Sequence, residues 1–335
     1  MSATRIERDC LGEMEIPEEH YYGIQTHRMV KVSGTAHLPV IFYPGMHRAL
    51  AQIKKACARA NAEIGAITPE IGKAIAQAAD EVYAGKFDDQ FPLDMWQGGG
   101  YTCVNMNVNE VIGNRANEIL TGHKGQDTVH PNTHVNKAQS TNDTIPSATH
   151  LAIAPELDKI IAGVEALQHS FEKKAVEFKD DVKVGRTCWQ DALPLTLGQE
   201  FEGFATLMKR LATKLKAARP GCFEIVMGGS AIGTGLGADP GYMDALYKYL
   251  SEQYGETVRP AESLFDGFQN PDFCVTISGL VKEVATSVSK ISKDLRLMSS
   301  GPRAGWMEIN LPALSPGSSI MPGKINPTVP EMVIQ

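Results

Sequence analysis

Apolar residues recur at helical spacing over three long stretches of the chain. In the clearest stretch, 272–299, they alternate steps of four and three positions: Ile277, Val281, Val284, Val288, Ile291, Leu295 and Met298. A mean period of 3.5 residues is typical of helices that pack along a continuous seam. Stretches 155–179 and 194–218 repeat the pattern, and each begins at a proline, which favours the first turn of a helix. The pattern predicts a mainly α protein built on a bundle of long helices.

The region before about residue 145 is organised differently. Its helical patterns are shorter (45–64, 69–84 and 109–120), and stretches rich in glycine and proline separate them. No segment alternates apolar and polar residues as a half-buried strand does, beyond a few residues near the N-terminus. We therefore predict a mainly helical N-terminal domain over 1–143 and a central helix-bundle domain over 144–335.

Composition limits the classes of partner. The 335 residues are 43% hydrophobic, enough for a large core, and carry a net charge of -7. This charge argues against a nucleic-acid or anionic-membrane partner, because binding to either depends on lysine and arginine. The sequence shows no apolar signal region and no run long enough to cross a bilayer, which indicates a cytoplasmic protein. Six cysteines without C-x-x-C spacing fit reduced thiols better than disulfides or a zinc site, and we expect neither a metal nor a cofactor.

One segment near the end breaks the helical pattern with an unusual order of residue types. Residues 317–327 read Gly-Ser-Ser-Ile-Met-Pro-Gly-Lys-Ile-Asn-Pro. Gly317 and Gly323 permit backbone conformations that other residues disfavour, and the prolines stiffen the flanks, so we expect the hydroxyls on a shaped loop. Such a loop can meet an anion, although a lone Gly-Ser-Ser is more often a surface connection.

Three further polar islands interrupt the helices, at 98–107, 130–143 and 185–191. Each has a structural explanation by itself. The first reads as a glycine turn with an asparagine cap, the second ends in four residues suited to a helix N-cap, and the third reads as an ordinary loop.

Taken together, the four islands have the order and approximate spacing of the aspartase/fumarase superfamily, which the chain resembles over its whole length. Further matching segments are 12–26, 89–92, 233–236 and 299–305. The resemblance implies a long central helix bundle with a smaller N-terminal helical domain, and a small dicarboxylate or amino-acid substrate. Members usually continue beyond the signature with a returning bundle helix and a small C-terminal domain. We therefore expect a chain that ends at Gln335 to be incomplete.

The resemblance also implies a homotetramer whose sites each draw on three subunits. The predicted helix 155–179 would be roughly 35–40 Å long at 1.5 Å per residue. Islands at opposite ends of such helices cannot all converge within one chain, which agrees with shared sites.

By resemblance, each island supplies part of one site for reversible anti-elimination of ammonia from L-aspartate to give fumarate. This reaction removes a proton from C3 and develops an aci-carboxylate dianion, which pre-placed donors must stabilise. Ser318 would be the base, and Asn142 would contact the amino group. The groups that would hold the carboxylate next to C3 are Thr102, Ser140, Thr141 and Ser319. Those that would hold the other carboxylate are Thr187, Lys324 and Asn326.

Three residues depart from the family pattern. Position 188, commonly histidine in fumarases and several aspartases, is Cys188, and no histidine follows His169, so Glu331 lacks its usual partner. Loss of a general acid favours release of ammonia over release of hydroxide. Tyr101 and Cys103 stand where aspartases usually have glycine and serine, and both can reshape the pocket. The alternatives that stay open are a lyase for another substituted aspartate or succinate, a fumarate hydratase, and a catalytically silent family member.

Overall fold

The computed structural model describes residues 3–32, 34 and 36–335. The described part of the chain holds ten α-helices, which confirms the predicted mainly α class. Their bounds are α1 (Ile24–Val30), α2 (Gly45–Glu63), α3 (Pro69–Tyr83), α4 (Thr102–Thr121), α5 (Thr141–Glu177), α6 (Leu197–Ala218), α7 (Tyr242–Tyr254), α8 (Leu264–Gly267), α9 (Asp272–Met298) and α10 (Thr328–Ile334). Within the described ranges, none of these helices is both long and apolar enough to cross a membrane.

Three small strand pairs lie between the helices. They are the antiparallel pairs β1 (Thr4–Asp9) with β2 (Gly12–Pro17) and β3 (Val182–Thr187) with β4 (Gln190–Thr196), and the parallel pair β5 (Glu224–Ile225) with β6 (Arg259–Pro260). The first pair lies where the sequence shows some alternation. The sequence prediction is wrong about the second, because it begins a helix at Pro194, whereas this proline lies in β4. A two-stranded hairpin has only edge strands, where proline is tolerated.

The long apolar repeats form helices, but one begins well before its predicted start. The prediction of 272–299 is confirmed by α9, and those of 45–64 and 69–84 by α2 and α3. In contrast, α5 runs through both Pro146 and Pro155. Burial of its first turns, where Leu151 is 1% exposed, offsets the backbone hydrogen bonds that the prolines remove.

The chain divides into two compact units that are not continuous in sequence. The first comprises Met1–Glu156 with Arg219–Pro271, and the second comprises Leu157–Ala218 with Asp272–Gln335. Helix α5 contributes residues to both. The predicted domains, 1–143 and 144–335, are continuous segments, and that division stays a prediction.

In the first unit, α2 packs against α3, α4 and α7. Its core contains fully buried aliphatic side chains such as Leu50, Ile53, Ile75 and Ile112. Helices α4 and α5 each begin inside a polar island. The core therefore holds the starts of these two helices in place, and their first residues carry the polar groups.

In the second unit, α6 and α10 pack against α9. The heptad face of α9 is unevenly covered. Ile277, Ile291 and Met298 are buried, whereas the intervening Val281, Val284, Val288 and Leu295 are only partly buried. The middle of the seam is thus left partly open within the described chain.

Candidate active site

The first polar island is a glycine turn that leads into α4. Gly100 and Tyr101 have left-handed backbone conformations, with φ of 61° and 64°, which glycine adopts freely and tyrosine only at a cost. The Tyr101 hydroxyl donates to the Met95 carbonyl at 2.7 Å. The Thr102 hydroxyl donates to the Gly99 carbonyl at 2.7 Å, and Thr102 is exposed. Tyr101 therefore braces the turn that presents Thr102.

The second island ends in a helix cap. The Ser140 Oγ accepts a hydrogen bond from the Asn142 N–H at 3.2 Å, and the Asp143 carboxylate accepts one from the Ser140 N–H at 2.8 Å. This reciprocal pair resembles a capping box, except that the serine oxygen accepts from the N–H two residues on instead of three. Because the Ser140 oxygen acts as an acceptor in the cap, its own proton is available to a ligand. Thr141 stands beside it at the positive end of a long helix, where an anion is stabilised.

Asp143 joins this cap to a distant turn. Its side chain is fully buried, and its Oδ2 accepts hydrogen bonds from the N–H groups of Gly228 at 3.2 Å and Ser230 at 3.0 Å. Burial raises the pKa of Asp143 to about 6, against the hydrogen bonds and the Lys54 charge, which lower it. The sequence analysis includes Asp143 among the residues suited to a helix N-cap but not among the site residues.

A cavity of about 610 Å³ lies beside the start of α5. Gly100, Thr141 and Asn142 all line it, so the structure brings the first two islands together. The Asn142 Nδ2 donates to the Ala231 carbonyl at 2.8 Å, which leaves Oδ1 as the free acceptor of that side chain. The apolar lining comes from Ile145, Pro146, Ile232, Phe265 and Phe268.

A buried polar network, which we call the Asn136 network, fixes the segment that precedes the cap. The Lys54 side chain is fully buried, and its Nζ donates to Asn136 Oδ1 at 2.9 Å and Gln139 Oε1 at 2.7 Å. Asn136 Oδ1 also accepts from the amides of Asn105 at 3.2 Å and Asn109 at 3.1 Å. Burial lowers the pKa of Lys54 to about 8. The network ties the second island to α2 and α4.

The third island is the turn of the β3–β4 hairpin, not the loop that the sequence predicts. Thr187 ends β3 and is exposed. Cys188 and Trp189 form the turn with φ of 51° and 65°, and two-residue hairpin turns of type I′ require such left-handed pairs. The Trp189 ring packs edge-on against Trp306, with 5.6 Å between ring centroids. This contact holds the turn.

The two cysteines near predicted site residues differ in environment. Cys103 is half-buried on the first turn of α4, and burial raises the pKa of its thiol. Cys188 is an exposed free thiol. In the part of the chain that the structure describes, no three His, Cys, Asp or Glu side chains cluster as metal ligands would.

The signature segment forms a closed loop in the second unit, as the sequence predicts. The Gly317 N–H donates to the Lys324 carbonyl at 2.7 Å, and the Asn326 Nδ2 donates to the Gly317 carbonyl at 3.1 Å. Ser319 and Lys324 are exposed. The loop is therefore closed at its base by its own residues and presents its hydroxyl and ammonium groups outward.

Ser318 occupies a distinctive position in this loop. Its Oγ accepts hydrogen bonds from the N–H groups of Ile320 at 3.3 Å and Met321 at 3.1 Å. Such bonds stabilise a negatively charged oxygen more than a neutral one. The arrangement suits a hydroxyl that must give up its proton.

The two loop glycines do not have the role that the sequence predicts. Neither Gly317 nor Gly323 has a positive φ. At position 317 an added Cβ would lie 2.6 Å from the Cγ and Oδ1 of Asn326, whereas at position 323 it would meet open space. Gly317 is required because the two ends of the loop approach closely, and Gly323 has no such steric requirement.

Glu331 has a partner of a different kind from the one that the family resemblance suggests. Its Oε1 lies 3.5 Å from Nη2 of Arg296. The carboxylate at this position is thus paired with an arginine instead of a histidine.

The predicted site residues fall into two sets, one in each unit. The first set is Tyr101, Thr102, Cys103, Ser140, Thr141 and Asn142. The second set is Thr187, Cys188, Ser318, Ser319, Lys324 and Asn326. Within the first set, Thr141 and Asn142 share a cavity with the glycine turn, and within the second, the four loop residues lie in one closed loop.

Comparisons with known proteins identify the family of the chain. A family model described as lyase matches residues 12–335. An aspartate ammonia-lyase of Bacillus sp is 47% identical over 99% of this chain and 71% of its own length. A class II fumarate hydratase of Neisseria meningitidis is 46% identical over 97% of this chain and 70% of its own length.

A solved structure gives the same result. The crystal structure of a fumarate lyase:delta crystallin from Brucella melitensis bound to cobalt superimposes with a TM-score of 0.95. Its sequence is 42% identical, and the match covers 99% of this chain and 73% of that one. The chain therefore belongs to the aspartase/fumarase superfamily of lyases, as its four polar islands predict.

Proposed function

We propose that this protein is an ammonia-lyase that reversibly eliminates ammonia from L-aspartate to give fumarate, with Ser318 as the general base. The observation that carries the proposal is the Ser318 oxygen, which accepts two backbone N–H bonds in a closed loop. A serine hydroxyl is a weak base unless its alkoxide is stabilised, and these bonds supply part of that stabilisation. The similarity to aspartate ammonia-lyases supports the choice of substrate.

The reaction proceeds in two steps. The Ser318 alkoxide takes the proton from C3, and the electron pair of the C–H bond moves into the adjacent carboxylate to form an aci-carboxylate dianion. That pair then returns to form the C2–C3 double bond, and the C2–N bond breaks with its electrons leaving on ammonia. The dianion is the species that needs the most stabilisation, so the donors around it govern the rate.

The start of α5 suits the carboxylate that becomes the dianion. Ser140 and Thr141 provide hydroxyl groups there, and the helix N-terminus adds a favourable partial charge. Thr102 and Ser319 complete this group of donors in the proposal. Thr187, Lys324 and Asn326 would bind the other carboxylate, and Lys324 is exposed with no acidic partner among the described residues.

A fumarate hydratase is the second candidate, because relatives of that name are nearly as similar as the aspartate ammonia-lyases. Hydroxide is a poor leaving group and gains from a general acid, whereas an ammonium group departs as neutral ammonia. Cys188 stands at the position of the missing histidine. This difference favours ammonia as the leaving group.

We also propose a homotetramer with sites shared between subunits. The partly covered heptad face of α9 is the seam where further helices would pack. Shared sites would combine the first set of residues from one subunit with parts of the second set from others.

The test is the change in ultraviolet absorbance of fumarate when the protein is incubated with L-aspartate and, separately, with L-malate. The proposal expects fumarate to form from aspartate and little or none to form from malate. Faster turnover of malate would overturn it in favour of the hydratase. Turnover of neither would point to another amino diacid, consistent with the unusual Tyr101 and Cys103.

A further inference from the structure

A chain of hydrogen bonds connects a buried carboxylate to the side chain that would meet the substrate amine. The Asp143 Oδ2 binds the N–H groups of Gly228 and Ser230. The next carbonyl in that turn, on Ala231, accepts from the Asn142 Nδ2 at 2.8 Å. Asp143 is fully buried, so it acts on a ligand only through these neighbours.

We infer that Asp143 is a positioning residue that orients the Asn142 amide, so that Asn142 Oδ1 accepts a hydrogen bond from the ammonium group of the substrate. The inference rests on the proposed function and adds the device by which the site would recognise an amine. An ammonium group can only donate hydrogen bonds, so it needs an acceptor. With Nδ2 engaged by Ala231, the oxygen is the atom that Asn142 offers.

The turn that contains Gly228 and Ser230 keeps its shape because the Asp143 carboxylate binds it. Gly228 and Ser230 have φ of 88° and 58°, and the left-handed conformation of Ser230 carries a conformational cost. A carboxylate can accept from both N–H groups and from Ser140 at once, because it has only acceptor atoms. An amide at position 143 would place an NH₂ group against at least one of these donors. The turn would then shift and take the Ala231 carbonyl with it.

Asp143→Asn tests this role with two ligands that differ in the amino group. We expect KM for L-aspartate to rise about tenfold or more, the size expected for a lost hydrogen bond to a charged group. The inhibition constant of succinate, which has no amino group, should stay within about twofold. If the variant binds both ligands more weakly by the same factor, Asp143 has a merely structural role. If neither constant changes, Asp143 has no role. Each outcome overturns the inference.

A double-mutant cycle checks that the effect passes through Asn142. Asn142→Ala should raise KM for L-aspartate as Asp143→Asn does, and the double variant should be no worse than the more affected single variant. Additive losses would show that Asp143 acts by another route, which contradicts the inference.

Glu110 offers a matched control. It is also a buried carboxylate that accepts three backbone N–H bonds, from Gly23, Gln25 and Thr26 at 3.0, 2.8 and 3.1 Å. Glu110→Gln should lower stability in a comparable way and leave the ratio of the aspartate and succinate constants unchanged. A shift of that ratio equal to that of Asp143→Asn would overturn the inference.

Two further measurements keep the test decisive. If Asp143→Asn does not fold, Gly228→Ala moves the same turn, since a methyl there would collide with the Met243 side chain, and it should show the same selective loss for L-aspartate. The wild-type protein is assayed first. No wild-type turnover of L-aspartate means that the proposed function fails, whereas wild-type turnover with an unselective variant means that only the role of Asp143 fails.

Discussion

Replacing Gly317 by alanine tests whether the closed signature loop is needed for catalysis. The added Cβ would lie 2.6 Å from Asn326 Cγ, whereas ordinary contacts begin near 3.4 Å. One end of the loop must therefore move by about 0.8 Å, and the hydrogen bond from Asn326 to the Gly317 carbonyl must lengthen or break. A misplacement of about 1 Å typically costs about 10²-fold in rate. We expect kcat/KM for L-aspartate to fall by about that factor.

The same substitution at Gly323 is the matched control. This position has no positive φ, and an added Cβ meets open space, so Gly323→Ala should keep activity within about threefold of the wild type. The assay is initial-rate formation of fumarate, with thermal unfolding by circular dichroism to confirm that both variants are folded. Full activity in Gly317→Ala, or an equal loss in Gly323→Ala, would refute the argument from close approach.

Three other predictions concern the base, the assembly and the pH dependence. Ser318→Ala should lower kcat by about 10²-fold or more with the fold intact. Lys324→Ala should mainly raise KM, because a group that binds a carboxylate stabilises the ground state and the transition state alike. Steady-state kinetics separate the two effects, and a near-normal kcat in Ser318→Ala would exclude that serine as the base. Thr187→Ala and Ser318→Ala, each strongly impaired, should regain activity when denatured and refolded together. Mixed tetramers no more active than either parent variant would contradict shared sites. Burial raises the pKa of Glu110 from 4.5 to about 7; its contribution to stability is fully present below about pH 4.5 and is lost as the pH rises through about 7. The free energy of unfolding should thus fall by up to about 3 kcal/mol across that window, as measured by urea unfolding, and Glu110→Gln should flatten the change; an unchanged slope would place the titration elsewhere.

The sequence predicts those helices in which apolar residues recur at a regular spacing. The alternating spacing of apolar residues in α9 is such a repeat, and it predicts the helix even though the middle of that face is only partly buried. The start of α5 is not predicted, because local rules place Pro155 at a helix start, while tertiary burial around Leu151 carries the helix through it. The β3–β4 hairpin is not predicted either, because its turn lacks the usual sequence signal. Its turn is Cys188-Trp189, without the Asn-Gly or Asp-Gly that usually marks such turns.

Residue types in the polar islands predict which side chains could form a site, but their contacts depend on segments far apart in sequence. The loop and its hydroxyls follow from residues 317–327. The need for glycine at 317 does not, because it arises from the approach of Asn326. Likewise, the link from Asp143 to Gly228 and Ser230 joins segments that no local pattern relates.

The Asn136 network has a consequence for how the sequence can change over evolutionary time. Its single oxygen serves Lys54, Asn105 and Asn109, and all three of these side chains are buried. A substitution at Asn136 alone would leave the buried Asn105 amide without its acceptor, at about 1–3 kcal/mol, and would remove one hydrogen bond each from Lys54 and Asn109. A protein in which only one of these residues has been substituted is therefore less stable than the original. The four positions should be inherited as a block, and homologues that lack one of them should differ at the others as well.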